Sequence, residues 1–278
     1  MSALNFVRFL RGDLEETEFA LPTSPNLGDA IPITRLDKTY RLHRLVADLL
    51  TDLVYTDDGI RLRSQQDALI PPIDPPTDGV GEAMAPERPV TLLLHDEAES
   101  QDANRLEVAL VESLVEALAG GESEDIGVVT PHNAQKGRLI ESLGDQATAD
   151  TVERFQGGER NVMFISATAS DPDYVRSESE FLLNPNRLNV AMSRMKKKLV
   201  IIASESIFRV TPTDADEFDD TLIWKRLYDA LNVTADTPET EVWRGSIEQF
   251  CPDATDLPSD TDDTTLAVYG LEAAPGEE

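Results

Sequence analysis

The sequence predicts an α/β fold in which a mostly parallel sheet is covered by helices on both faces. Short apolar runs rich in β-branched residues recur along the chain, as buried parallel strands require. These runs span residues 90–95, 126–130, 148–152, 162–167 and 199–203. Helical patterns separate them, and polar clusters follow the runs that end near residues 130, 152 and 167. Because such folds bind ligands at the carboxyl ends of their strands, we expect the functional residues there.

The composition is that of a strongly acidic globular protein. The 278 residues include 53 acidic and 24 basic side chains, which gives a formal net charge of −29. The basic residues comprise 18 arginines and only 6 lysines. An acidic surface poor in lysine is what a cytosol at very high salt would favour, so we expect a halophilic, cytoplasmic protein. Since molar salt shortens the screening length to about 3 Å, the net charge does not exclude a nucleic-acid-binding protein.

Several other protein classes find no support in the sequence. The single cysteine, Cys251, permits no internal disulfide, and no cluster of Cys and His suggests a metal site. No apolar run approaches the length of a membrane span, and the first residues lack the basic start and apolar core of a signal peptide. We therefore expect no metal ligands in this chain and no membrane association.

Composition also divides the chain into three parts. Residues 1–35 are acidic and then rich in Pro, Gly and Ser, which predicts an irregular connector. Residues 36–232 contain the strand and helix patterns and are expected to form the domain. Residues 233–278 are acidic and rich in Thr, Pro and Asp, which predicts a largely disordered tail with at most one docked segment near Val242 and Trp243.

The first helix is predicted within residues 36–63, where apolar residues recur at helical spacing. Tyr40, Arg41 and His43 would lie at the start of this helix, and His43 is expected to be a buried structural histidine. Residues 64–89 are rich in Pro and Gly and predict a long surface loop.

The strand at 90–95 runs directly into Asp96 and Glu97, which is the form of a magnesium-binding strand end. That interpretation requires a phosphate loop of the GxxxxGK[ST] type, and the chain contains no Gly-Lys dipeptide. A generic α/β enzyme that uses these two carboxylates therefore ranks last among the functions considered, since it also lacks a nucleophile. Further helices are predicted over 102–119, up to about Leu143, and over 219–231.

Residues 181–204 predict a loop, a helix and a strand. Asn184 followed by Pro185 is typical of a helix N-cap and first turn. Arg187 and Arg194 lie seven residues apart, which is two helical turns and hence roughly one face. Two arginines beside a buried strand suggest a phosphate site. Two solvated arginines on an amphipathic helix would give the same pattern.

Four segments, taken in chain order, resemble motifs of superfamily 1 helicases of the up-frameshift-like group. The segments are Tyr40-Arg-Leu-His43, Thr130-Pro-His-Asn-Ala-Gln135, Thr151-Val-Glu-Arg-Phe-Gln-Gly-Gly-Glu159 and Arg187-Leu-Asn-Val-Ala-Met-Ser-Arg194. The last two are the specific ones, because each precedes an apolar strand as in the family. The resemblance covers about residues 36–231 and implies a RecA-like domain, the second of the two motor domains in that family.

The resemblance implies a role at an ATP site for several residues. Tyr40 would stack on adenine, Arg41 would approach the terminal phosphates, and Arg194 would act as the arginine finger. Glu159 would contact the ribose or the water around the nucleotide. The residues that would hold the nucleotide in this way are Tyr40, Gln156, Gly157, Glu159 and Arg187.

The resemblance also implies a track for single-stranded DNA or RNA. Thr130, Pro131, Gln135 and Thr151 would contact the phosphates of the strand rather than its base edges. Phe155, by contrast, is expected to be a core residue. Lys196 to Lys198 are expected to form a solvated turn before the last strand.

The family carries its phosphate loop and magnesium ligands on the first motor domain, and the 278 residues contain no phosphate loop. The resemblance therefore implies that ATP with Mg²⁺ binds only together with a phosphate-loop domain supplied in cis or in trans. We expect the chain alone to be inactive as an ATPase. The alternative is a non-catalytic module, derived from a helicase, that binds nucleic acid or protein. The joint presence of Tyr40, Arg41, Glu159 and Arg194 favours the motor domain.

The halophilic interpretation predicts that the melting temperature rises with salt. Screening of the repulsion among 53 acidic side chains should stabilise the folded chain. Thermal unfolding measured over a series of KCl concentrations up to the molar range checks this. Full stability in dilute buffer would contradict it.

Overall fold

A computed structural model describes residues 37–56, 59–72, 79–118, 125–155, 158–211, 218–233, 239–252 and 263–273. Its strands are β1 Lys38–His43, β2 Arg63–Gln66, β3 Val90–His95, β4 Ile126–Thr130, β5 Thr148–Thr151, β6 Arg160–Ser166, β7 Met195–Ser204, β8 Glu241–Ser246 and β9 Thr265–Leu271. The predicted connector, residues 1–35, lies outside the described residues.

The helices lie between these strands. They are α1 Arg44–Leu50, continued by a π-helical stretch Thr51–Tyr55, then α2 Gly79–Met84, α3 Arg105–Leu118, α4 Asn133–Leu143, α5 Pro172–Ser177, α6 Ser179–Leu182, α7 Pro185–Met192, α8 Glu205–Arg209, α9 Phe218–Ala230 and α10 Ile247–Phe250. No helix in this described part of the chain is long and apolar enough to cross a membrane.

Seven strands form one sheet in the order β5-β4-β6-β7-β3-β9-β8. The five strands from β5 to β3 pair in parallel, whereas β9 is antiparallel to both β3 and β8. A separate pair, β1 and β2, is also parallel. The predicted α/β fold with a mostly parallel sheet is therefore confirmed.

Both faces of the sheet are buried, as its apolar strands require. In β3, Leu92 and Leu94 pack into one hydrophobic cluster while Leu93 packs into the other. Helices α1, α7, α8 and α9 supply the first cluster, and α2, α3, α4 and α10 supply the second. Phe155 belongs to the first cluster, which confirms it as a core residue.

The structure corrects the expectation that Tyr40, Arg41 and His43 start a helix. Tyr40 and Arg41 lie within strand β1, and the helix begins only at Arg44. His43 is the N-cap residue: it is fully buried, and its Nδ1 accepts a hydrogen bond from the backbone N–H of Leu45. The apolar stripe of the following helix was visible in the sequence, but the non-local pairing that makes β1 was not.

The structure also corrects the largely disordered tail predicted from residue 233. Strand β9 lies beside the central strand β3, and its residues 266–269 are buried. Strand β8 pairs with β9 at the edge of the sheet and includes the segment around Trp243. Acidic flanking stretches dominate the composition of this region and conceal a short apolar run whose pairing partner is distant in sequence.

Lys196 to Lys198 were predicted to form a solvated turn, but they lie within β7. Lys198 is fully buried, and its ammonium group donates hydrogen bonds to the carbonyls of Ala85 (3.2 Å) and Arg88 (2.6 Å) and to the Thr91 hydroxyl (3.2 Å). Burial, reinforced by the nearby Arg88 and opposed by Glu87, lowers the pKa of Lys198 from 10.5 to about 7. These hydrogen bonds hold the segment between α2 and β3 against strand β7.

A second buried polar group ties the carboxyl ends of three strands together. Glu107 on α3 is fully buried. Its Oε2 accepts hydrogen bonds from the Ser166 hydroxyl at 2.5 Å and from the backbone N–H of Thr168 at 2.9 Å. Its Oε1 lies 3.3 Å from Nε2 of His95 at the end of β3. Each carboxylate oxygen is thereby used, as a buried charge requires.

The network continues to β4 and α4. Thr168 has a φ of 71°, in the left-handed region that side chains other than glycine seldom adopt. Its hydroxyl shares a hydrogen bond of 2.8 Å with the Thr130 hydroxyl. The Gln135 amide donates to Ser166 Oγ and both donates to and accepts from the backbone of Asn104. Glu107 therefore holds the strained Thr168 loop against the ends of β3, β4 and β6.

We expect Glu107→Ala to lower the free energy of unfolding by about 3 kcal/mol, because it leaves buried donors without an acceptor. Denaturant-induced unfolding of the variant and the wild type measures this. Glu116→Ala is the matched control, since Glu116 lies on the same helix and is exposed; it should stay within about 0.5 kcal/mol. Equal effects of the two variants would show that the buried carboxylate is not a structural centre.

Lys198 predicts a pH dependence of stability. Between pH 7 and 10.5 the unfolded chain carries a protonated lysine while the folded chain carries a neutral amine. Because the unfolded state then binds the extra proton, stability should rise with pH across this window. Relative to Lys198→Met, the wild type should gain about 1.4 kcal/mol per pH unit, with no such gain below pH 7.

Denaturant unfolding at a series of pH values measures this difference. Lys197→Met is the matched control, because Lys197 is the neighbouring residue of β7 and is partly exposed. Its difference from the wild type should not change over the same window. A flat difference for Lys198→Met as well would contradict the assigned titration.

Candidate functional site

Five residues lie at the end of the sheet where β6 and β7 begin, and we call them the amino-edge site. Tyr40 and Arg41 come from β1, Glu159 directly precedes β6, Arg194 directly precedes β7, and Lys196 is the second residue of β7. Strand β1 reaches this edge because it packs against β7. Four of the five carry the motif resemblance, and the structure brings them together from three separate parts of the sequence.

Glu159 lies between two cations of the amino-edge site. Its Oε1 is 2.5 Å from Arg41 Nε and its Oε2 is 3.1 Å from Lys196 Nζ. Arg41 also donates a hydrogen bond to the Ser193 carbonyl at 3.4 Å. The hydrogen bond from Lys196, together with Arg41, holds the pKa of Glu159 below its usual value, against the opposing effect of burial.

Arg194 differs from Arg41 and Lys196, because it forms no ion pair within the described residues. Its backbone is fixed, since its carbonyl accepts a hydrogen bond of 3.0 Å from the Arg160 N–H at the start of β6. Its side-chain Nε is buried but has no hydrogen-bond partner within the residues that the structure describes. A buried guanidinium nitrogen without a partner is costly unless a ligand pairs with it. The geometry thus leaves Arg194 available for an anion.

The amino-edge site carries three cations against one carboxylate, in a chain whose net charge is −29. Beside them Tyr40 is 85% exposed, which is unusual for a large aromatic side chain. A planar ring next to an excess of positive charge suits a ligand that combines an aromatic base with phosphates. The residues present therefore fit a nucleotide. Among the five residues, only Glu159 has a carboxylate of the kind that Mg²⁺ prefers as a ligand.

The structure separates Arg187 from Arg194. Helix α7 begins with Pro185, after the N-cap residue Asn184, as predicted. Its first turn lies near the carboxyl ends of β4 and β6, and its last residue leads into the start of β7. Seven residues at about 1.5 Å each span roughly 10 Å. Arg187 pairs there with Glu153 at 2.6 Å and does not join the amino-edge site.

This arrangement corrects two expectations. Arg187 was expected to hold the nucleotide with Arg194, but a shared helical face does not bring the two ends of a helix together. Functional residues were expected at the carboxyl ends of the strands, whereas Glu159 and Arg194 precede the strands β6 and β7. Gln156 and Gly157, also expected at the nucleotide, lie outside the described residues.

The four residues expected to contact nucleic acid lie where the parallel strands end, which we call the carboxyl edge of the sheet. Thr130 and Gln135 are fully buried, with their side-chain polar atoms in the Glu107 network, and Thr151 is 5% exposed. Only Pro131 is half-exposed. The buried side chains of Thr130 and Gln135 do not face solvent in this structure, because their polar atoms form hydrogen bonds inside the Glu107 network.

Asp96 and Glu97 have structural partners. Asp96 Oδ1 accepts the Thr265 N–H at 2.8 Å, and Glu97 accepts the Ser100 N–H at 3.0 Å and the Asn104 amide at 2.8 Å. Within the described ranges, no group of three or more His, Cys, Asp or Glu side chains could hold a metal ion.

The sequence interpretation missed several residues near these sites. Lys196 lies two residues after the last motif, and its charge close to Arg194 was the signal that could have found it. Glu107 gave no signal, since an acidic residue on an amphipathic helix normally faces water. Tyr174 and Phe181 lie outside every motif, and only their contacts with His132 reveal them.

A mostly parallel sheet covered by helices on both faces is the architecture of a RecA-like α/β domain. Residues 23–206, well over half of the chain, match the AAA domain family, and the chain belongs to that family.

The chain is also similar to known helicases. It is 27% identical over 201 residues to the DNA replication ATP-dependent helicase/nuclease JHS1 of Arabidopsis thaliana, covering 67% of this chain and 15% of that protein. It is 33% identical over 116 residues to a regulator of nonsense transcripts 1 homolog of Neurospora crassa, covering 37% and 10%. It is 32% identical over 113 residues to the DNA polymerase alpha-associated DNA helicase A of Saccharomyces cerevisiae, covering 38% and 16%.

These matches confirm the predicted membership of superfamily 1 helicases of the up-frameshift-like group. The chain spans about a sixth or less of the length of these relatives. The C-terminal domain of a possible DNA helicase from a Lactobacillus strain, WCFS1, aligns over 62% of this chain and 94% of that structure with a TM-score of 0.36 and 13% identity, which is too distant to argue from.

Proposed function

We propose that this helicase-type domain is the second motor domain of an ATP-dependent nucleic-acid helicase or translocase. It would supply one wall of an ATP site, and a phosphate-loop domain would supply the other. The observation that carries the proposal is Arg194, whose buried Nε has no partner among the described residues, beside the Arg41–Glu159–Lys196 group.

Each residue of the amino-edge site has a task in this proposal. Tyr40 offers its exposed ring to the adenine. Arg41 and Lys196 attract the phosphates, and Glu159 holds both cations in position until the nucleotide arrives. Arg194 stabilises charge on the transferring phosphoryl group, which in phosphoryl transfer is worth about 10³–10⁵ in rate.

ATP with Mg²⁺ would provide the phosphoryl chemistry, with the metal ligands on the phosphate-loop domain. In this chain the backbone hydrogen bond from the Arg160 N–H to the Arg194 carbonyl fixes the backbone position from which the Arg194 side chain extends. Such preorganised charge, in a site closed by a second domain, lowers the barrier without reorganisation at the moment of reaction.

The carboxyl edge would form part of the track for single-stranded DNA or RNA. The similar proteins include two DNA helicases and a regulator of nonsense transcripts, which supports a nucleic-acid partner for this domain. Pro131 and its neighbours lie at that edge, about one helix length from the amino-edge site. A strand and a nucleotide could therefore bind at the same time, at opposite ends of α7.

The proposal predicts that the chain alone hydrolyses ATP no faster than background. Mixed with a phosphate-loop domain from a helicase of the same group, it should show hydrolysis stimulated by a single strand. Arg194→Ala should then reduce the rate by about 10³-fold or more, and Arg194→Lys should not restore it, because an ammonium lacks the planar fork. Phosphate release measured at matched domain concentrations checks these rates.

Arg105→Ala is the control, since Arg105 is exposed at the start of α3 and belongs neither to the amino-edge site nor to the four residues expected to contact nucleic acid. It should leave the rate unchanged. All variants should unfold with the wild-type midpoint, because Arg194 Nε loses no hydrogen bond. Rapid turnover by the chain alone that Arg194→Ala abolishes would contradict the need for a partner domain. No stimulation by any phosphate-loop domain would instead support the non-catalytic binding module.

A further inference from the structure

Three half-buried rings pack together at the carboxyl edge, and we call them the aromatic cluster: His132, Tyr174 and Phe181. The ring of His132 lies 5.9 Å from that of Tyr174 and 5.6 Å from that of Phe181, with interplanar angles of 48° and 37°. The guanidinium carbon of Arg187 lies 3.7 Å from the centre of the Phe181 ring. Rings and guanidinium together form one apolar, partly cationic surface.

The fold positions this cluster beside the expected nucleic-acid track. His132 follows Pro131 at the end of β4 and is the N-cap residue of α4. Tyr174 and Phe181 come from α5 and α6, the crossover after β6. None of the three rings is fully buried, so each can present part of its surface to a ligand. Tyr174 and Phe181 also pack against the first hydrophobic cluster, and none of the three rings belongs to the amino-edge site.

The charges around the cluster distinguish a base from a phosphate. Glu153 pairs with Arg187 at 2.6 Å and so neutralises much of its charge. Burial lowers the pKa of His132, against the effects of Asp102 and Glu178, so its ring is neutral at pH 7. With one cation already paired and two carboxylates nearby, a phosphate gains little here. A flat, uncharged ring gains stacking with the aromatic side chains and with the guanidinium plane.

The neighbouring cavity is not the site for such a ring. It measures about 30 Å³ and is lined mainly by apolar side chains, with Pro131 and Arg187 at the side of the cluster. That volume holds about two water molecules and is too small for a nucleobase. The unpartnered Nε1 of Trp224, which also lines it, fits a bound water. A base must therefore lie on the aromatic cluster itself.

We propose that the aromatic cluster, with Arg187, stacks a base of the single-stranded nucleic acid that passes the carboxyl edge. The proposal rests on the proposed function, because it needs a strand to be there. It adds a contact to the bases, whereas the motif residues imply contacts to phosphates only. The contact has no sequence preference, since every base has a stacking face.

The test compares two labelled strands of about 16 nucleotides, one of thymidines and one of abasic sites with the same phosphates. Fluorescence anisotropy with the full chain should show about 5- to 100-fold tighter binding of the thymidine strand. Phe181→Leu and Tyr174→Leu should abolish most of this preference and leave binding of the abasic strand unchanged. Arg187→Lys keeps the charge but loses the planar stacking, so it should reduce the preference without unfolding the cluster.

Trp243→Leu is the matched control, because Trp243 is a partly buried aromatic residue on β8. Strand β8 is the outermost strand on the side of the sheet away from β4 and β5. It should keep the wild-type preference. Equal binding of the two strands by the wild type, or an unchanged preference in all three cluster variants, would overturn the stacking site while leaving the track intact. No binding of either strand at any salt concentration would overturn the proposed nucleic-acid track and the stacking site with it.

Discussion

The buried carboxylate of Glu107 is the constraint on which the carboxyl edge of the sheet depends. A charge with no access to water is stable only when hydrogen bonds replace its hydration. Glu107 obtains them from Ser166, the Thr168 backbone and His95, which lie at the ends of two strands and in the loop after β6. Those bonds compensate the left-handed backbone of Thr168 and orient the crossover that follows. That crossover places the helices α5, α6 and α7, and with them Tyr174, Phe181 and both motif arginines.

Helix α7 divides the proposed chemistry between two edges of one sheet. Its first turn places Arg187 over Phe181, and the residues after its last turn place Arg194 beside Glu159. A right-handed crossover between the parallel strands β6 and β7 requires a helix that runs back along the sheet. In the proposed function, the two arginines of a single eight-residue motif would therefore serve different ligands.

The fold class was predictable because it rests on local patterns. Apolar runs bounded by polar clusters located all five parallel strands within a few residues, and Asn184 with Pro185 marked the start of α7. Strand β2 and helix α2 were missed within the predicted surface loop of residues 64–89, and β2 gave no signal because its residues are polar. Strands β1, β8 and β9 were missed for one common reason. Each is short and forms only by pairing with a partner that is distant in sequence, and acidic or helical context conceals its own apolar pattern. Lys198 was missed in the same way, since three consecutive lysines give no hint that one of them lies inside the sheet.

For the candidate site, the sequence by itself determined which chemical groups are present: a tyrosine with an adjacent arginine, a glutamate after a glycine pair, and two arginines at motif spacing. That information is local, and it sufficed to indicate the helicase family. Only the tertiary structure decided which groups meet. It joined Lys196 to Arg41 and Glu159, moved Arg187 to the other end of the sheet, buried Thr130 and Gln135, and assembled His132, Tyr174 and Phe181. The spacing of two residues along a helix shows whether they share a face of that helix, but it does not show which residues of other elements they contact. Those contacts depend on the order of the strands in the sheet and on the buried hydrogen-bond network around Glu107.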